Sequence, residues 1–528
     1  MSEETGPREP LDEGWRRLDR RTLLVTAAVM AGVALSASVP TAIGLAGGMP
    51  LWKATALVLA GAALLIVCGT GGDYVRWRRT RYRTGPERAE LHTGLFLVKR
   101  RSLARERIRT VDLTADPLLR VLGLVKVRIG TGEHSGGEST LELDPVTRAE
   151  GERLRTELLD HTNDMSGGVH EGTLAVLDPG WIRYAPISFL APLLGGAAVG
   201  GLLQVSEWFG VQTRVIDWIG DRLRDTPLGW AVVILVAAAG LAGVVGALGL
   251  WIEMWWNYRL EREPGGTLRV RRGLFTSRSV SVEERRLRGV ELVEPLGVRL
   301  VGAARLDAVA TGLVHDDEDK HADHRNLLPA APRAVADAVA ARVLRESASP
   351  TRTARLTAHP RAARARRLRR ALAAALPPVV ILSVLGLLLP DGPPARALLY
   401  AALASAVILP PAAVLLALDA YRNLGHGLSG AYLVARSGSL RRTTVALQRA
   451  GVIGWTVRQS YFQRRAGLLT LTATTAAGEG AYHVHDTAQD EGLAFAEEAV
   501  PGLLKPFLEP KDRWPTAAPE NAHGPETP

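Results

Sequence analysis

The sequence predicts an α+β membrane protein in which six transmembrane helices form three hairpins that alternate with three β-rich soluble segments, each closed by a helix. Three observations support this fold class. Long uncharged apolar stretches come in pairs, arginine-rich segments flank the pairs, and short alternating strands follow each pair. One unit is therefore used three times, and such repetition sets the architecture before any single residue is considered.

Six stretches contain no Asp, Glu, Lys or Arg and are long enough to cross a bilayer. A hydrocarbon core of about 30 Å needs roughly 20 helical residues, and soluble helices normally carry a charged face. The stretches are residues 22–52, 54–72, 184–206, 226–252, 371–390 and 397–418. They predict hairpins at 22–72, 184–252 and 371–418. The absence of ionisable residues within them argues against an ion-coupled carrier.

Arginine placement predicts the orientation of the chain in the membrane. Arginines cluster before the first and fifth stretches and after the second, whereas the loop inside the third hairpin is DGPPAR. Basic residues in short flanks stay on the cytoplasmic side. We therefore expect a multi-pass plasma-membrane protein whose termini and soluble segments are all cytoplasmic. Between the third and fourth stretches, VSEWFGVQTRVIDWIGDRL predicts a short amphipathic helix at the outer interface.

The net charge of +10 indicates an acidic partner. Nucleic acid is the usual candidate for a basic chain, but here the positive charge gathers beside the apolar stretches. This distribution favours the anionic lipids of the inner leaflet, and it argues against nucleic acid. The basic linker at 346–370 is expected to lie on the membrane surface, where each basic residue contributes about 1 kcal/mol. The single cysteine, Cys68, excludes an intrachain disulfide.

The soluble segments share a spaced pattern. In the first two copies a Gly-Leu-Phe turn is followed thirteen residues later by arginine, then by an aliphatic residue, and finally by a Pro-Leu step that ends at glycine. The third copy is looser and contains SYFQRRAGLL from Ser460. The residues that carry the pattern are Gly94, Arg107, Ile108, Val111, Pro117 and Gly123 in the first copy, and Gly273, Arg286, Leu287, Val290, Pro295 and Gly302 in the second.

Short alternating runs such as LFLV, SVSV and LTLTAT, separated by glycine turns, are typical of β-hairpins. Each copy then ends in a stretch compatible with a helix. Asp144 and Asp486 are candidate N-caps for the first and third of these helices, because aspartate is favoured there. Each soluble segment is thus expected to be a small sheet or barrel plugged by its last helix.

With these motifs the chain resembles the bacterial pleckstrin-homology-like membrane proteins of the YdbT type, in which paired spans alternate with domains carrying G-L-x…R-I-x-x-V…P-L…L-G-L. The resemblance extends from about residue 20 to residue 508. It implies PH-like split barrels closed by a C-terminal helix at 73–165, 253–345 and 419–508, between tails at 1–21 and 509–528. In the third copy, Ala466 replaces the leucine usual before the motif glycine.

Basic residues recur around the early hairpin of each copy and are the candidate lipid- or partner-binding residues. By resemblance, this is where eukaryotic pleckstrin domains hold phosphoinositide headgroups. We favour stabilisation next to the membrane over specific headgroup capture. The candidates are Lys99, Arg100, Arg101, Arg271, Arg272, Arg278, Arg441 and Arg442.

Neither a catalytic centre nor a cofactor is predicted. The chain has no GxxxxGK[ST], G-x-S-x-G or HExxH motif. The run HDDEDKHADH from His315 to His324 combines metal-ligand types, but it occupies the position of a polar hairpin loop. His483 and His485 alternate on one predicted strand and so share a sheet face. We interpret all of these residues as solvated or structural, with no bound metal.

Two hypotheses on function follow from this pattern. The first is a non-enzymatic membrane scaffold that presents PH-like domains at the cytoplasmic leaflet to lipids or to a membrane or cytoplasmic protein. The alternative is a component of a transport or lipid-handling system in which the six-helix bundle is the working part.

Overall fold

The structure is a computed structural model and describes residues 15–85, 87–94, 99–108, 110–130, 140–159, 172–187, 190–263, 266–311 and 325–507. Two compact units are present. Unit 1 comprises Met1–Thr353 with Leu440–Thr444 and Ala476–Glu479, and unit 2 comprises Ala354–Ser439, Val445–Thr475 and Gly480–Pro528. Helices and antiparallel strands alternate along the chain as the sequence predicts.

The first copy of the repeat begins with two long helices and continues as two groups of strands. Its closing helix packs on the second group. The elements in chain order are β1 (Arg16–Arg17), α1 (Thr22–Ala46), α2 (Leu51–Arg79), β2 (Arg81–Thr84), β3 (Arg88–Thr93), β4 (Lys99–Ala104), β5 (Thr110–Ala115), α3 (Pro117–Val121), β6 (Leu124–Gly130), β7 (Thr140–Thr147) and α4 (Arg148–Leu159).

The second copy follows the same order, with an added helix in its hairpin and another after its closing helix. Its elements are β8 (Thr173–Val176), a 3-10 segment (Pro179–Ile187), α5 (Leu190–Trp208), α6 (Gln212–Leu223), α7 (Leu228–Trp255), β9 (Arg259–Glu263), β10 (Thr267–Arg272), β11 (Ser277–Glu283), β12 (Leu287–Pro295), α8 (Leu296–Leu300), β13 (Ala303–Ala310), β14 (Asn326–Pro332), α9 (Arg333–Leu344) and α10 (Pro350–Thr353).

The third copy repeats the pattern once more. Its elements are α11 (Arg361–Leu388), α12 (Pro393–Arg422), β15 (Gly425–Ser429), β16 (Tyr432–Ser437), β17 (Arg441–Gln448), β18 (Gly454–Arg458), α13 (Tyr461–Arg465), β19 (Leu468–Thr474), β20 (Ala481–Ala488) and α14 (Gln489–Ala499).

In the described part of the chain, five helices are long and apolar enough to cross a membrane, whereas the sequence predicts six. They are α1, α2, α7 from Gly229, α11 and α12. A sixth span exists only if Pro179–Ile187 and the helix after it, which meet at a bend of 73°, are counted together. The prediction at 184–206 therefore falls on a broken element. The amphipathic helix predicted after it is present as α6, with Trp218 exposed.

The second helix of each hairpin continues past the end of its charge-free stretch. An acidic residue lies just past the end of each stretch, and it bonds to the hairpin itself in the first copy and to the soluble segment in the second and third. Asp73 accepts hydrogen bonds from Thr26 and Arg76, and Glu253 accepts from the backbone N–H groups of Phe275 and Thr276. The third such acid, Asp419, accepts from Ser439 and Asn423.

The sheets are open and antiparallel. Unit 1 contains the orders β1-β2-β3-β4, β7-β6-β5-β11-β10-β9-β8 and β14-β13-β12. The seven-stranded sheet joins the first two copies, because β5 pairs with β11 through Ala115↔Ser277, Thr114↔Arg278 and Leu113↔Ser279. In unit 2, β15 pairs with β16, and β18, β19 and β20 form a three-stranded sheet. Closure into three barrels remains a prediction.

The closing helices begin later than the sequence indicates. The first starts at Arg148 and the third at Gln489, so Asp144 and Asp486 lie in strands β7 and β20 and are not N-caps. Asp486 is instead buried and adopts a positive φ of 56°. It forms an ion pair with Arg366 and accepts a hydrogen bond from Gln463. Its charge therefore links the third soluble segment to the start of α11.

The turn at the motif glycine recurs in all three copies, although the third copy lacks the Pro-Leu step. A five-residue helix is followed, two residues after its end, by a glycine with φ of 70° at Gly123, 71° at Gly302 and 63° at Gly467, a conformation that favours glycine. The carbonyl of each glycine accepts a hydrogen bond from the first residue of the closing helix, at 3.0, 3.0 and 3.1 Å. The turn thus connects the short helix to the closing helix in each copy.

Candidate functional site

A basic cleft lies in unit 1 where the first two copies share their sheet. Its volume is about 360 Å³, and its walls come from β5, α3 and the start of α4 on one side and from β9, β10 and β11 on the other. Seven arginines and one glutamate, Glu152, supply its charged lining. The arginines are Arg120, Arg148, Arg259, Arg269, Arg271, Arg272 and Arg278.

Strand pairing places arginines directly opposite one another at this cleft. Arg271 on β10 pairs with Arg259 on β9, and Arg272 pairs with Arg278 on β11. Like charges facing each other across a sheet are destabilising. Because Arg271 and Arg272 are adjacent on β10, the two pairs face opposite sides of the sheet, and a bound anion would relieve the repulsion between Arg259 and Arg271.

Two of the seven arginines hold the walls of the cleft together. Arg269 is buried and pairs with Glu152 at 2.7 Å and with Glu263 at 3.0 Å. Arg272, also buried, stacks on the ring of Trp255 at 4.5 Å. Their side chains are committed to the fold, and their contribution to the cleft is electrostatic.

Other arginines present their side chains to solvent. Arg259 and Arg271 are exposed, and no hydrogen bond or ion pair of either side chain is found among the described residues. Desolvation at the cleft wall and the positive charge of Arg269 lower the pKa of Arg271. Arg259 and Arg271 are therefore cleft arginines whose side chains are accessible from solvent.

Below the cleft, a buried network fixes α4 against β9 and β10. Arg155 pairs with Glu263 at 2.6 Å and with Glu152 at 3.1 Å, and Arg269 contacts the same two carboxylates. Burial acts to raise the pKa of Glu263, but the hydrogen bonds and charges of Arg155 and Arg269 outweigh it and lower that pKa. Both carboxylates are thus held ionised, and the network links the first two copies.

The sequence-predicted basic residues separate into three places. Arg271, Arg272 and Arg278 meet at the cleft. Lys99, Arg100 and Arg101 lie on β4 in the four-stranded sheet, opposite Thr93, His92 and Leu91. This sheet does not contribute to the lining of the cleft. The remaining pair, Arg441 and Arg442, lies on β17.

Arg441 and Arg442 differ in their surroundings. Arg441 is exposed, whereas Arg442 donates to both carboxylate oxygens of the buried Glu294, at 2.8 and 2.7 Å. A bidentate pair of this kind is geometrically specific. Arg442 is therefore engaged in the fold of unit 1, and a role for either residue in binding remains a prediction.

Sequence reasoning missed Arg120, Arg148, Arg259 and Arg269. They come from the short helix, the start of the closing helix and two strands, so no local run of basic residues marks them. The alternation of Arg269 and Arg271 in TLRVRRG was the one available signal, because alternate residues share a sheet face.

The histidines considered as metal ligands fall into two groups. The run from His315 to His324 lies outside the described residues. His483 and His485 have ring centroids 5.3 Å apart on β20, and burial together with the His483 charge lowers the pKa of His485 to about 4. Within the described part of the chain, no group of three or more His, Cys, Asp or Glu side chains is placed to hold a metal.

The chain combines open sheets, apolar helices and a basic cleft, which are features of a membrane protein with a β-rich soluble part. The family model of the bacterial PH domain matches residues 26–162 and 368–498, just over half of the chain. The chain belongs to this bacterial PH domain family.

A sequence relative supports the same family assignment. The chain is 22% identical over 264 residues to the transmembrane protein YdbT of Bacillus subtilis strain 168, a match that covers 47% of this chain and 53% of the relative. The chain thus spans about half the length of the curated relative it matches. No solved structure matches.

Proposed function

We propose that this protein is an integral membrane scaffold that presents PH-like domains at the cytoplasmic leaflet of the plasma membrane for lipid or protein interaction, without catalysis. Five or six apolar helices and the bacterial PH domain match support a membrane-associated role. The observation that carries the more specific proposal is the cleft lined by seven arginines.

The PH-like domains are proposed to be split barrels at 73–165, 253–345 and 419–508. Each copy contributes two groups of three antiparallel strands and a closing helix, which is the set of parts that such a barrel requires. In this proposal the arginine-rich flanks keep the soluble segments and both termini in the cytoplasm.

An anionic lipid headgroup is the ligand that we favour for the cleft. Guanidinium groups bind phosphate through paired, directional hydrogen bonds, and Arg259 and Arg271 are available to form them. The segments that line the cleft are tethered to membrane helices, so anionic headgroups are close by. Near such a surface each basic residue contributes about 1 kcal/mol.

A transport role for the helices has less support. In the most apolar window of each described span, only 6–11% of residues are buried. Their faces are thus open to lipid or to another chain, and a closed polar path would need far more mutual burial.

The proposal is tested with the delipidated full chain in neutral detergent. Phosphatidylglycerol with short acyl chains is titrated, and bound lipid is counted by native mass spectrometry. We expect the double variant Arg259→Ala and Arg271→Ala to bind about thirtyfold more weakly, since two basic residues contribute about 2 kcal/mol together.

A matched control removes the same charge elsewhere in unit 1. Arg285→Ala with Arg352→Ala replaces two exposed arginines outside the cleft, and it should bind lipid as the wild type does. Equal affinities for the cleft variant and the control would refute the proposal. Crosslinking in native membranes with both variants would then identify a protein partner that depends on the cleft.

A further inference from the structure

The short helices before the three motif glycines expose apolar side chains. Val121 is 86% exposed at the end of α3, and Leu300 is 77% exposed at the end of α8. In the third copy, Phe462 on α13 is 67% exposed, next to an exposed Tyr461. Phe462 lies one helical turn earlier than Val121 and Leu300 relative to the motif glycine, but each repeat exposes a large apolar residue on the same short helix, which indicates a shared contact surface.

The three short helices also share their buried and charged positions. The residue four before the glycine is buried in every copy: Leu119, Val298 and Gln463. The next residue is arginine in every copy: Arg120, Arg299 and Arg464. An anchored helix therefore presents an apolar tip beside a positive charge, the combination found in elements that lie in a membrane interface.

In the first copy, the short helix lies against the first membrane helix of its own hairpin. Arg21, which precedes α1, donates to the carbonyl of Leu122 at 3.0 Å. Leu118 of α3 and Val25 and Val29 of α1 line one mostly apolar cavity of about 460 Å³. Val29 is two turns inside the apolar stretch, so Leu118 of α3 lies beside the first part of the membrane helix.

The other two copies repeat this arrangement. In the second, Gly297 of α8 lies so close to Ile187, just before α5, that an added Cβ would come within 2.6 Å of its carbonyl oxygen. In the third, Ala466 packs against the cluster that contains Ala363 at the start of α11. Tyr461 and Phe462 precede this contact on α13, and aromatic side chains are favoured at a membrane interface.

We propose that the three short helices are interfacial wedges, whose apolar tips insert into the anionic leaflet on their own side of the bilayer. Val121, Leu300 and Phe462 are the deepest side chains. This inference deepens the proposed function, because it names the surface by which each soluble segment contacts lipid. It does not involve Arg259 or Arg271.

The test places one fluorescent probe at a time in the full chain. Cys68→Ser removes the native thiol, and Val121→Cys, Leu300→Cys or Phe462→Cys is labelled with an environment-sensitive dye. The protein is reconstituted in vesicles of phosphatidylcholine and phosphatidylglycerol, with or without a lipid that carries a quencher at headgroup depth. Matched controls carry the dye at Thr156, Ala338 or Ala494, exposed positions on the three closing helices.

We expect blue-shifted emission and loss of intensity with the quencher lipid at the three wedge positions, and no loss at the controls. Unquenched probes at Val121 and Leu300, or equal quenching of wedge and control probes, would overturn the inference. This outcome is separate from the lipid titration of the Arg259 and Arg271 variant. The wedges can be quenched while the cleft binds nothing, and the reverse can also occur.

Discussion

The immediate surroundings of each arginine determine whether it stabilises the fold or remains available to a ligand. Adjacent members of the same basic run serve different purposes: Arg271 is exposed at the cleft, and Arg272 is buried on Trp255. On β17, exposed Arg441 precedes Arg442, which is paired with buried Glu294. The sequence alone gives no reason to assign different roles to the two arginines of each pair. Their burial in the structure distinguishes them.

The first residue-scale prediction concerns Arg442. We expect Arg442→Ala to lower the free energy of unfolding by about 3 kcal/mol, because removing one partner of a buried ion pair leaves Glu294 undercompensated. Arg441→Ala should change stability by less than about 0.5 kcal/mol, as exposed substitutions usually do. Thermal unfolding in detergent measures both variants. Equal stability losses for the two would contradict the assignment of Arg442 to the fold.

The second residue-scale prediction concerns pH. Burial, with the charges of Asp307 and Glu479, raises the pKa of Glu291 to about 7. Between its unfolded pKa of 4.5 and about 7, the folded state binds more protons than the unfolded state, so this residue's contribution to stability falls as pH rises. Glu291→Gln should thus be more stable than the wild type at pH 8, by about 3 kcal/mol, and equally stable at pH 4.

Unfolding curves of Glu291→Gln and the wild type across pH 4 to 8 provide the measurement. Asp490→Asn, which neutralises an exposed acid at the start of α14, is the control and should show no such divergence. A constant difference between Glu291→Gln and the wild type at all pH values would show that Glu291 does not titrate as described.

At the scale of elements, apolar stretches predicted the hairpins well but predicted their ends poorly. Helices α2, α7 and α12 continue through Asp73, Glu253 and Asp419, because each carboxylate has hydrogen-bond donors at the helix end. The third predicted span is broken at a 73° bend that the sequence did not reveal. Tertiary contacts of this kind cannot be inferred from hydropathy, which measures one residue at a time.

The element-scale prediction concerns Asp486, which joins β20 to the start of α11 in unit 2. We expect Asp486→Asn to cost about 3 kcal/mol of stability, because Arg366 is left without its buried counter-charge. Asparagine tolerates the positive φ of 56°, so the loss reports on charge and not on the backbone. Proteolysis of unit 2 should accelerate in this variant, and an unchanged rate would count against the link.

At the scale of the whole molecule, the sequence predicted the repeat and left out how the copies join. Strands β5 and β11 belong to different copies, yet they pair within one sheet, and the Arg155–Glu263 contact reinforces the junction. Pairing between repeats cannot be inferred from a local sequence pattern, because a strand of alternating residues can pair equally well with any neighbouring strand. The basic cleft exists because of this junction, which explains why only three of its seven arginines were predicted.

The whole-molecule prediction follows from the same junction. A protease site inserted between residues 160 and 171 should be cleaved without separating the fragments, because the shared sheet and the salt-bridge network hold the first two copies together. Size-exclusion chromatography in detergent should recover both fragments in one peak. Fragments that separate would show that each copy folds on its own. Arg155→Ala in the cleaved protein should weaken the association.

The pairing of β5 with β11 also constrains how a ribosome can make this protein. Ala115 is synthesised about 160 residues before its partner Ser277, a delay of roughly 10–30 seconds at ordinary elongation rates. During that time the nascent chain carries an open strand edge of the kind that promotes aggregation, while α5 and α7 are still to be inserted. Early attachment of the first segment to lipid would keep that edge away from other nascent chains until its partner strand emerges.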